Sequence, residues 1–81
     1  MNTYSHQFYA RCPGSGDTIE YSLKLETGRT VMVEDIEKEC SFPEPAYHED
    51  IANKLAKIFG GRQTISAYHG CIHIETVRVR A

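Results

Sequence analysis

The sequence lacks several features that would assign it to a familiar class of protein. It has no tryptophan, and its three cysteines are too few and odd in number for a disulfide-stabilised secreted scaffold. We therefore expect free thiols in a reducing compartment. No apolar run approaches the length of about eighteen residues that a membrane span needs. The first residues carry neither a basic start nor a long apolar stretch, so we expect no signal peptide and a cytoplasmic location.

A strong excess of positive charge is also missing. The net charge is −2, which argues against nucleic acid as the main partner. The charges are unevenly spread, with seven acids and one lysine in residues 34–50, and three arginines and one acid in residues 62–81. Two interpretations stay open. In the first, the two charged regions are opposite poles that favour head-to-tail contacts or an acidic face for a basic partner. In the second, they are a solvated helix start and a C-terminal strand edge that arginines keep soluble.

The length predicts one domain that spans residues 1–81. A chain this short buries only about 60–65% of the surface that its unfolded form exposes, so its core is small. Without disulfides, a second copy of the chain is the simplest addition to that core. We therefore expect a homo-oligomer.

Alternating apolar and polar residues predict two strands before the middle of the chain. Residues 4–12 and 18–26 both alternate with a period of two, and the glycine- and proline-rich residues 13–17 between them predict a turn. Residues 30–33 are rich in β-branched side chains and predict a short third strand. Residues 33–40 fit either a strand end or a helical turn, of which we favour the turn.

One amphipathic helix is the clearest element. Pro45 suits its first turn, and Gly60 and Gly61 predict its end. Its apolar stripe is expected to consist of Tyr47, Ile51, Leu55, Ile58 and Phe59, with Ala52 and Ala56 beside it.

A second hairpin, residues 63–68 and 71–79, is predicted to close the fold by turning at residues 69–70. Ile72 and Ile74 fall on one face of its last strand, and Val77 and Val79 on the other. Either a bulge near residues 75–76 corrects this phase, or both faces are covered, as at a subunit interface. The predicted fold class is α+β, an antiparallel sheet of four to five strands in the order β-β-β-α-β-β, with one main helix on one face.

Histidine and cysteine offer the only candidate metal chemistry. In an unbroken strand His69, Cys71 and His73 would project from one face, and Cys12 or His6 could complete a zinc site. A turn at residues 69–70 would break that alignment and leave ordinary polar residues.

The same residues allow a nucleophile–base pair, with Cys71 or Cys12 as the thiolate and His73 or His6 as the base. The glycine pairs follow a strand or a helix as turns do, so they do not predict a phosphate site. No pattern is specific enough to predict a catalytic residue, and we predict no cofactor.

Four short segments of the sequence resemble the tunnelling-fold proteins, which include dihydroneopterin aldolases and 6-pyruvoyl-tetrahydropterin synthase-like enzymes. The segments are Asp17-Thr18-Ile19-Glu20-Tyr21, Val33-Glu34-Asp35-Ile36, His48-Glu49-Asp50-Ile51-Ala52-Asn53-Lys54-Leu55-Ala56 and Ile72-His73-Ile74-Glu75-Thr76. The resemblance implies an oligomeric barrel that binds pterins or purines at subunit interfaces, with Glu75 at the position of the glutamate that anchors the heterocycle. This chain is shorter than those enzymes and lacks the paired zinc histidines of the synthase branch in residues 18–26.

Two functional hypotheses follow. The first is a non-enzymatic module that self-associates through sheet edges and binds a protein partner, as small phage or mobile-element inhibitors and adaptors do. Its contact surface would include Tyr9, Glu37, Glu39 and Tyr68, since tyrosine is enriched at interfaces, although isolated exposed aromatics explain both tyrosines equally well. The alternative is a tunnelling-fold-like protein that binds a pterin or purine through Glu75.

Overall fold

The two alternating stretches near the N-terminus form the first hairpin of an antiparallel sheet. In the computed structural model, which describes residues 1–80, β1 is Asn2–Arg11 and β2 is Thr18–Thr27. Phe8 lies opposite Tyr21 in the register of this pair. Because successive side chains of a strand point to opposite faces, one face of the hairpin is apolar and buried and the other is exposed.

The remaining elements complete an α+β fold with a four-stranded sheet. Helix α1 is Val33–Glu39, α2 is His48–Phe59, β3 is Gly61–His69 and β4 is Ile72–Arg80. The spatial order is β1-β2-β3-β4, and every neighbouring pair is antiparallel. The predicted class, with a helix packed on one face of an antiparallel sheet, is therefore confirmed. In residues 1–80, neither helix is long and apolar enough to span a membrane.

The core lies between α2 and the two central strands. Ile51 and Leu55 of α2 are fully buried in one cluster with Leu23 and Leu25 of β2 and Ile65 of β3. Burial of a side chain of this size contributes about 1.5–3 kcal/mol, so these residues supply much of the drive to fold. The opposite face of the sheet, which we call the open face, has no helix over it in residues 1–80.

The predicted third strand is wrong. Residues 28–32 form a loop, whereas the helical turn favoured for residues 33–40 is confirmed as a helix of seven residues, Val33–Glu39. Glu34 and Asp35 in its first turn and Lys38 in its last match the helix dipole, and its one buried residue, Ile36, joins the core. These contributions outweigh the β propensity of the valines.

The buried face of α2 also differs from the predicted stripe. The helix begins at His48, three residues beyond Pro45, and Tyr47 and Ile58 are exposed. The buried positions are His48, Ile51, Ala52, Leu55, Ala56 and Phe59. His48 takes the place expected for Tyr47, because it lies three residues before Ile51 and seven before Leu55.

Of the two alternatives left open for the last strand, the bulge near residues 75–76 is absent. The pairing of β4 with β3 is continuous from Ile72 to Arg80, so the apolar residues of β4 do change face. Thr76 is buried on the helix side, while Val77 and Val79 lie on the open face with 39% and 69% of their surface exposed. Coverage of that face by another subunit stays a prediction.

The junction of α2 with β3 depends on two glycines and a buried glutamine. The side-chain amide of Gln63 donates to the carbonyl oxygens of Leu55 and Gly60, both at 2.8 Å, and so terminates the helix. Gly61 has a φ of +67°, and a Cβ on it would lie 2.5 Å from the carbonyl oxygen of Glu26. Only glycine therefore allows β3 to approach β2 at this point.

Replacing Gly61 with alanine is expected to destabilise the fold by about 1–3 kcal/mol, because the new methyl group meets backbone and the positive φ is strained. Urea unfolding measures the change. The control is Gly28→Ala, where a Cβ meets no atom within 4 Å and which should change stability by less than about 0.5 kcal/mol. Equal midpoints for the two variants would contradict this account of the junction.

Candidate functional site

Two cavities meet at the end of the sheet that carries the β1–β2 loop and the β3–β4 turn. The first, which we call the Cys12 pocket, has a volume of about 220 Å³ and is lined by Cys12, Tyr21, His48, Glu49, His69 and Ile74, among others. The second, the Asp17 groove, has a volume of about 650 Å³ and is lined by Asp17, Thr18 and Tyr68. Cys12 and His69 line both cavities, so they lie where the two join.

Backbone hydrogen bonds hold Cys12 and the start of α2 together. Cys12 donates its N–H to the carbonyl of Asp17 at 2.8 Å and accepts the N–H of Gly16 at 2.8 Å, which closes the loop after β1. One residue earlier, the carbonyl of Arg11 accepts the N–H of Ala46 at 3.1 Å. The segment before α2 is thus tied to the end of β1, which brings the first turn of α2 to the pocket that Cys12 lines.

The thiol of Cys12 lies against the turn that follows it and accepts hydrogen bonds from that turn. Hydrogen bonds from the backbone N–H and hydroxyl of Ser15, and from the backbone N–H of Gly14, lower the pKa of the thiol. Desolvation and the Asp17 carboxylate oppose this shift. By contrast, burial raises the pKa of Cys40 to about 11, which makes that thiol inert.

A pair of histidines forms another wall of the Cys12 pocket. Nδ1 of His48 lies 3.1 Å from Nε2 of His69, and both rings pack against Tyr21, with centroids 5.5 Å and 6.0 Å away. His48 is only 6% exposed, and its Nε2 makes no hydrogen bond of normal geometry within residues 1–80, although the backbone of Ile65 lies close enough to act on its pKa. Burial, and next the positive charge of a protonated His69, lower the pKa of His48, while the Glu49 carboxylate acts in the opposite direction.

A carboxylate stands at the mouth of the pocket. Glu49 accepts a hydrogen bond from the guanidinium of Arg78 at 2.7 Å, and Arg78 also donates to the side-chain oxygen of Asn53 at 3.1 Å. Arg78 lies on the helix side of β4, opposite Gln63 of β3, and from there it reaches both side chains of α2. The contact holds the Glu49 carboxylate in place while leaving it accessible, since its side chain is 64% exposed.

The four residues predicted as metal ligands are separated. Cys12 and His69 share the two cavities, but Cys71 is exposed in the β3–β4 turn and His73 lies on the open face against Tyr68, with ring centroids 4.8 Å apart. His69 and His73 lie on opposite faces because the turn occupies residues 70–71 and breaks the alternation. The described chain, residues 1–80, contains no group of three potential metal ligands.

Glu75, the residue expected to anchor a heterocycle, lies on the open face opposite Ser66 and is exposed. It does not line the Cys12 pocket, whose carboxylate is Glu49. The predicted base His6 is likewise remote from the thiol, since it pairs with Leu23 on β2 and stacks on Phe8.

The residues proposed for a protein contact lie on two sides of the sheet. Tyr9 and Tyr68 are exposed on the open face, where the Tyr9 hydroxyl donates to Glu20 at 2.9 Å. Glu37 and Glu39 belong to α1 on the helix side, where Glu39 pairs with Lys54 at 3.6 Å. The contact surface itself stays a prediction.

Sequence reasoning missed His48 and Glu49 as site residues. The available signal was their helical phase, because a polar residue on the buried stripe of an amphipathic helix is unusual unless it has a partner. The lowered pKa of Cys12 could not be predicted from the sequence, which shows only that a short turn follows this residue. The pKa depends on the direction in which the N–H groups of that turn point.

Comparison with known proteins supports the topology. No protein-family model matches the sequence, and no curated protein matches it. The chain is similar to the crystal structure of the archaeosine synthase QueF-Like in the apo form, with a TM-score of 0.72 and 20% sequence identity over 95% of this chain and 89% of that one. At this identity the similarity shows the fold alone, a tunnelling-fold-like topology. It does not support membership of the dihydroneopterin aldolase or 6-pyruvoyl-tetrahydropterin synthase families.

The buried state of His48 predicts a loss of stability in mild acid. Its pKa is lower in the folded chain than the value of about 6.5 expected when unfolded, so the unfolded chain binds more protons as pH falls through that value. The free energy of unfolding should therefore decrease from pH 7.5 to pH 5.5, as measured by urea unfolding. His48→Gln should flatten this dependence, whereas His73→Gln, which removes an exposed histidine, should preserve it. The same slope in all three proteins would contradict the assignment.

Proposed function

We propose that this protein binds a small heterocyclic base in the Cys12 pocket and acts on it through the Cys12 thiolate. The observation that carries the proposal is the convergence, on one pocket, of the Cys12 thiol, which the following turn holds by hydrogen bonds, and the paired imidazoles of His48 and His69. Perturbed titratable groups gathered in a cavity are typical of active sites. The proposal favours the small-ligand hypothesis over the non-enzymatic interaction module.

The size of the pocket favours a base over a larger ligand. Its volume of about 220 Å³ is below the range of about 300–1,000 Å³ that drug-sized ligands occupy, so it suits one or two fused rings. Pro13, Ala46 and Ile74 offer apolar surface for the ring faces, and the exposed Glu49 carboxylate can accept hydrogen bonds from ring N–H groups. Any attached group would extend into the Asp17 groove, which joins the pocket at Cys12 and His69.

The chemistry of the thiol defines the reaction class. A thiolate adds to an electrophilic carbon, such as that of a nitrile or an aldehyde, and forms a covalent intermediate. Cys12 is half-buried at the pocket wall, whereas Cys40 is buried in the core and Cys71 lies outside both cavities. Only Cys12 thus combines access to a bound ligand with a lowered pKa.

Two likenesses support a purine-type base. Tunnelling-fold proteins, which the sequence resembles, bind pterins or purines with a glutamate as anchor, and Glu49 is the carboxylate that lines this pocket. The neighbour with the same fold is named an archaeosine synthase. We propose the same class of ligand, a pterin or purine base, for this chain because the Cys12 pocket has a matching size and carries a carboxylate, Glu49.

The test uses a panel of purine and pterin bases, plain and carrying a nitrile or an aldehyde. We expect at least one to raise the melting temperature, and Glu49→Gln to remove the shift because the anchor loses its charge. We also expect an electrophilic member to add one equivalent of mass to the wild type and to Cys71→Ser, and none to Cys12→Ser. The matched control, Glu75→Gln, should keep the shift.

Two results would refute the proposal. One is the absence of any shift or adduct across the panel at millimolar ligand. The other is a shift that Glu75→Gln removes and Glu49→Gln leaves intact, which would assign the ligand to the open face.

We further propose that the chain is a homo-oligomer that associates through β4. In residues 1–80, β1 and β4 are the outer strands of the sheet, and an outer strand offers unpaired backbone groups to a neighbour. Ile72, Val77 and Val79 add exposed apolar surface along β4. A different protein partner could use the same surface, and the mass of the purified chain distinguishes the two.

Native mass spectrometry should show a multiple of the 9.2 kDa chain. The double substitution of Val77 and Val79 by lysine should shift the population to the monomer, because charge on an exposed apolar patch opposes its burial. Thr30→Lys, in the exposed loop before α1, is the control and should leave the assembly unchanged. A wild-type chain that is monomeric at high micromolar concentration would sink the proposal.

A further inference from the structure

The histidine pair that lines the Cys12 pocket is arranged for more than packing. His48 is enclosed by the core and contacts His69 through Nδ1, while His69 is only half-buried and lines both the Cys12 pocket and the Asp17 groove. The accessible ring is therefore His69, and the enclosed ring is its support. A base whose second nitrogen is held by a buried group is a recurring feature of thiol and hydroxyl nucleophile sites.

We propose that His69 carries the proton of the reaction at Cys12 and that His48 is its positioning residue. The inference rests on the proposed function for its substrate, but it concerns residues that neither the sequence resemblance nor the fold similarity assigns. In this role the Nδ1 lone pair of His48 accepts the hydrogen on Nε2 of His69. That bond fixes the tautomer of His69 and leaves its Nδ1 free to take a proton.

Burial and the neighbouring imidazole favour the neutral form of His48 and lower its pKa. On α2 the Glu49 carboxylate faces His48, and from β4 the Arg78 guanidinium opposes a further positive charge. Tyr21 of β2 packs against both rings, and burial raises the pKa of its phenol, so it stays neutral. Cys12 at the end of β1 and Asp17 in the following loop line cavities shared with His69. A second positive charge 3.1 Å from the first would have no carboxylate between the rings to offset it.

The proposed step conserves atoms and electrons. Nδ1 of His69 takes the proton from Sγ of Cys12, and the thiolate forms a bond to the electrophilic carbon of the base. The π bond between that carbon and its nitrogen or oxygen breaks, and its electron pair moves to the heteroatom. The heteroatom then takes the proton from His69, so no oxidant or reductant is needed.

The test follows alkylation of Cys12 by iodoacetamide, read by peptide mass, and formation of the base adduct, both as a function of pH. His69→Ala should slow adduct formation by about 100-fold or more, in line with the usual contribution of a general acid or base. Added imidazole should restore part of both rates, since it can occupy the space of the missing ring. A role in packing alone would not be restored in this way.

Substitutions of His48 separate positioning from packing. His48→Asn keeps an acceptor near the place of Nδ1 and should retain most of the wild-type rate, whereas His48→Leu removes the acceptor and should behave as His69→Ala does. His73→Ala, which removes a histidine of the open face, is the control and should match the wild type. Circular dichroism checks each fold, and His69→Gln replaces His69→Ala if that variant does not fold.

The outcomes separate this inference from the proposed function. Iodoacetamide carries no heterocycle, so its reaction with Cys12 reports on His69 even if no base binds. Unchanged rates and pH profiles in His69→Ala, or no effect of imidazole, would overturn the role of His69. If no base forms an adduct with the wild-type protein but alkylation still depends on His69, the proposed substrate would be rejected. The proposed roles of His69 and His48 would then stand.

Discussion

The packing of α2 against the two central strands is the contact on which the rest of the molecule depends. Leu25, Ile51 and Leu55 are fully excluded from solvent there, in a chain too short to form a second core. The same helix face continues one turn towards its N-terminus to His48. The Cys12 pocket is therefore an extension of the core, in which the imidazole of His48 takes the position of an aliphatic side chain. This continuity explains how so small a domain can hold a titratable group in a defined position.

Chain order and side-chain periodicity account for most of the fold. The alternation in β1 and β2 and the paired glycines after α2 are local signals, and each was read correctly from the sequence. The failures arose where two signals competed. At residues 30–33 the β-branched side chains favour a strand, but the burial of Ile36 and the helix dipole stabilise α1 from Val33 onwards and leave residues 28–32 as a loop. In β4 the apolar residues change face without a bulge, because Arg78 finds its partner on α2.

The candidate site was harder to predict than the fold, for reasons that lie in its geometry. Glu49 and Glu75 both belong to segments that resemble tunnelling-fold proteins, and only the face on which each side chain lies separates them. His48 was overlooked because the helix stripe was assigned from apolar residues alone. The properties of Cys12 depend on amides contributed by the next turn, a feature of backbone direction that composition does not carry. The sequence therefore predicted some residues of the site, Cys12 and His69 among them, but the tertiary contacts determine which residues lie together in the pocket.

The main-chain hydrogen bonds around Cys12 determine which changes the site can tolerate. The thiol is located mainly by main-chain hydrogen bonds, which close residues 12–17 and join Arg11 to Ala46, and the Ser15 hydroxyl adds a side-chain hydrogen bond to the sulfur. Most side chains in these two loops can therefore drift in related proteins without moving the sulfur. An inserted or deleted residue in either loop would displace the sulfur from the imidazoles at once. Loop length, more than residue identity, is what relatives of this protein would have to keep.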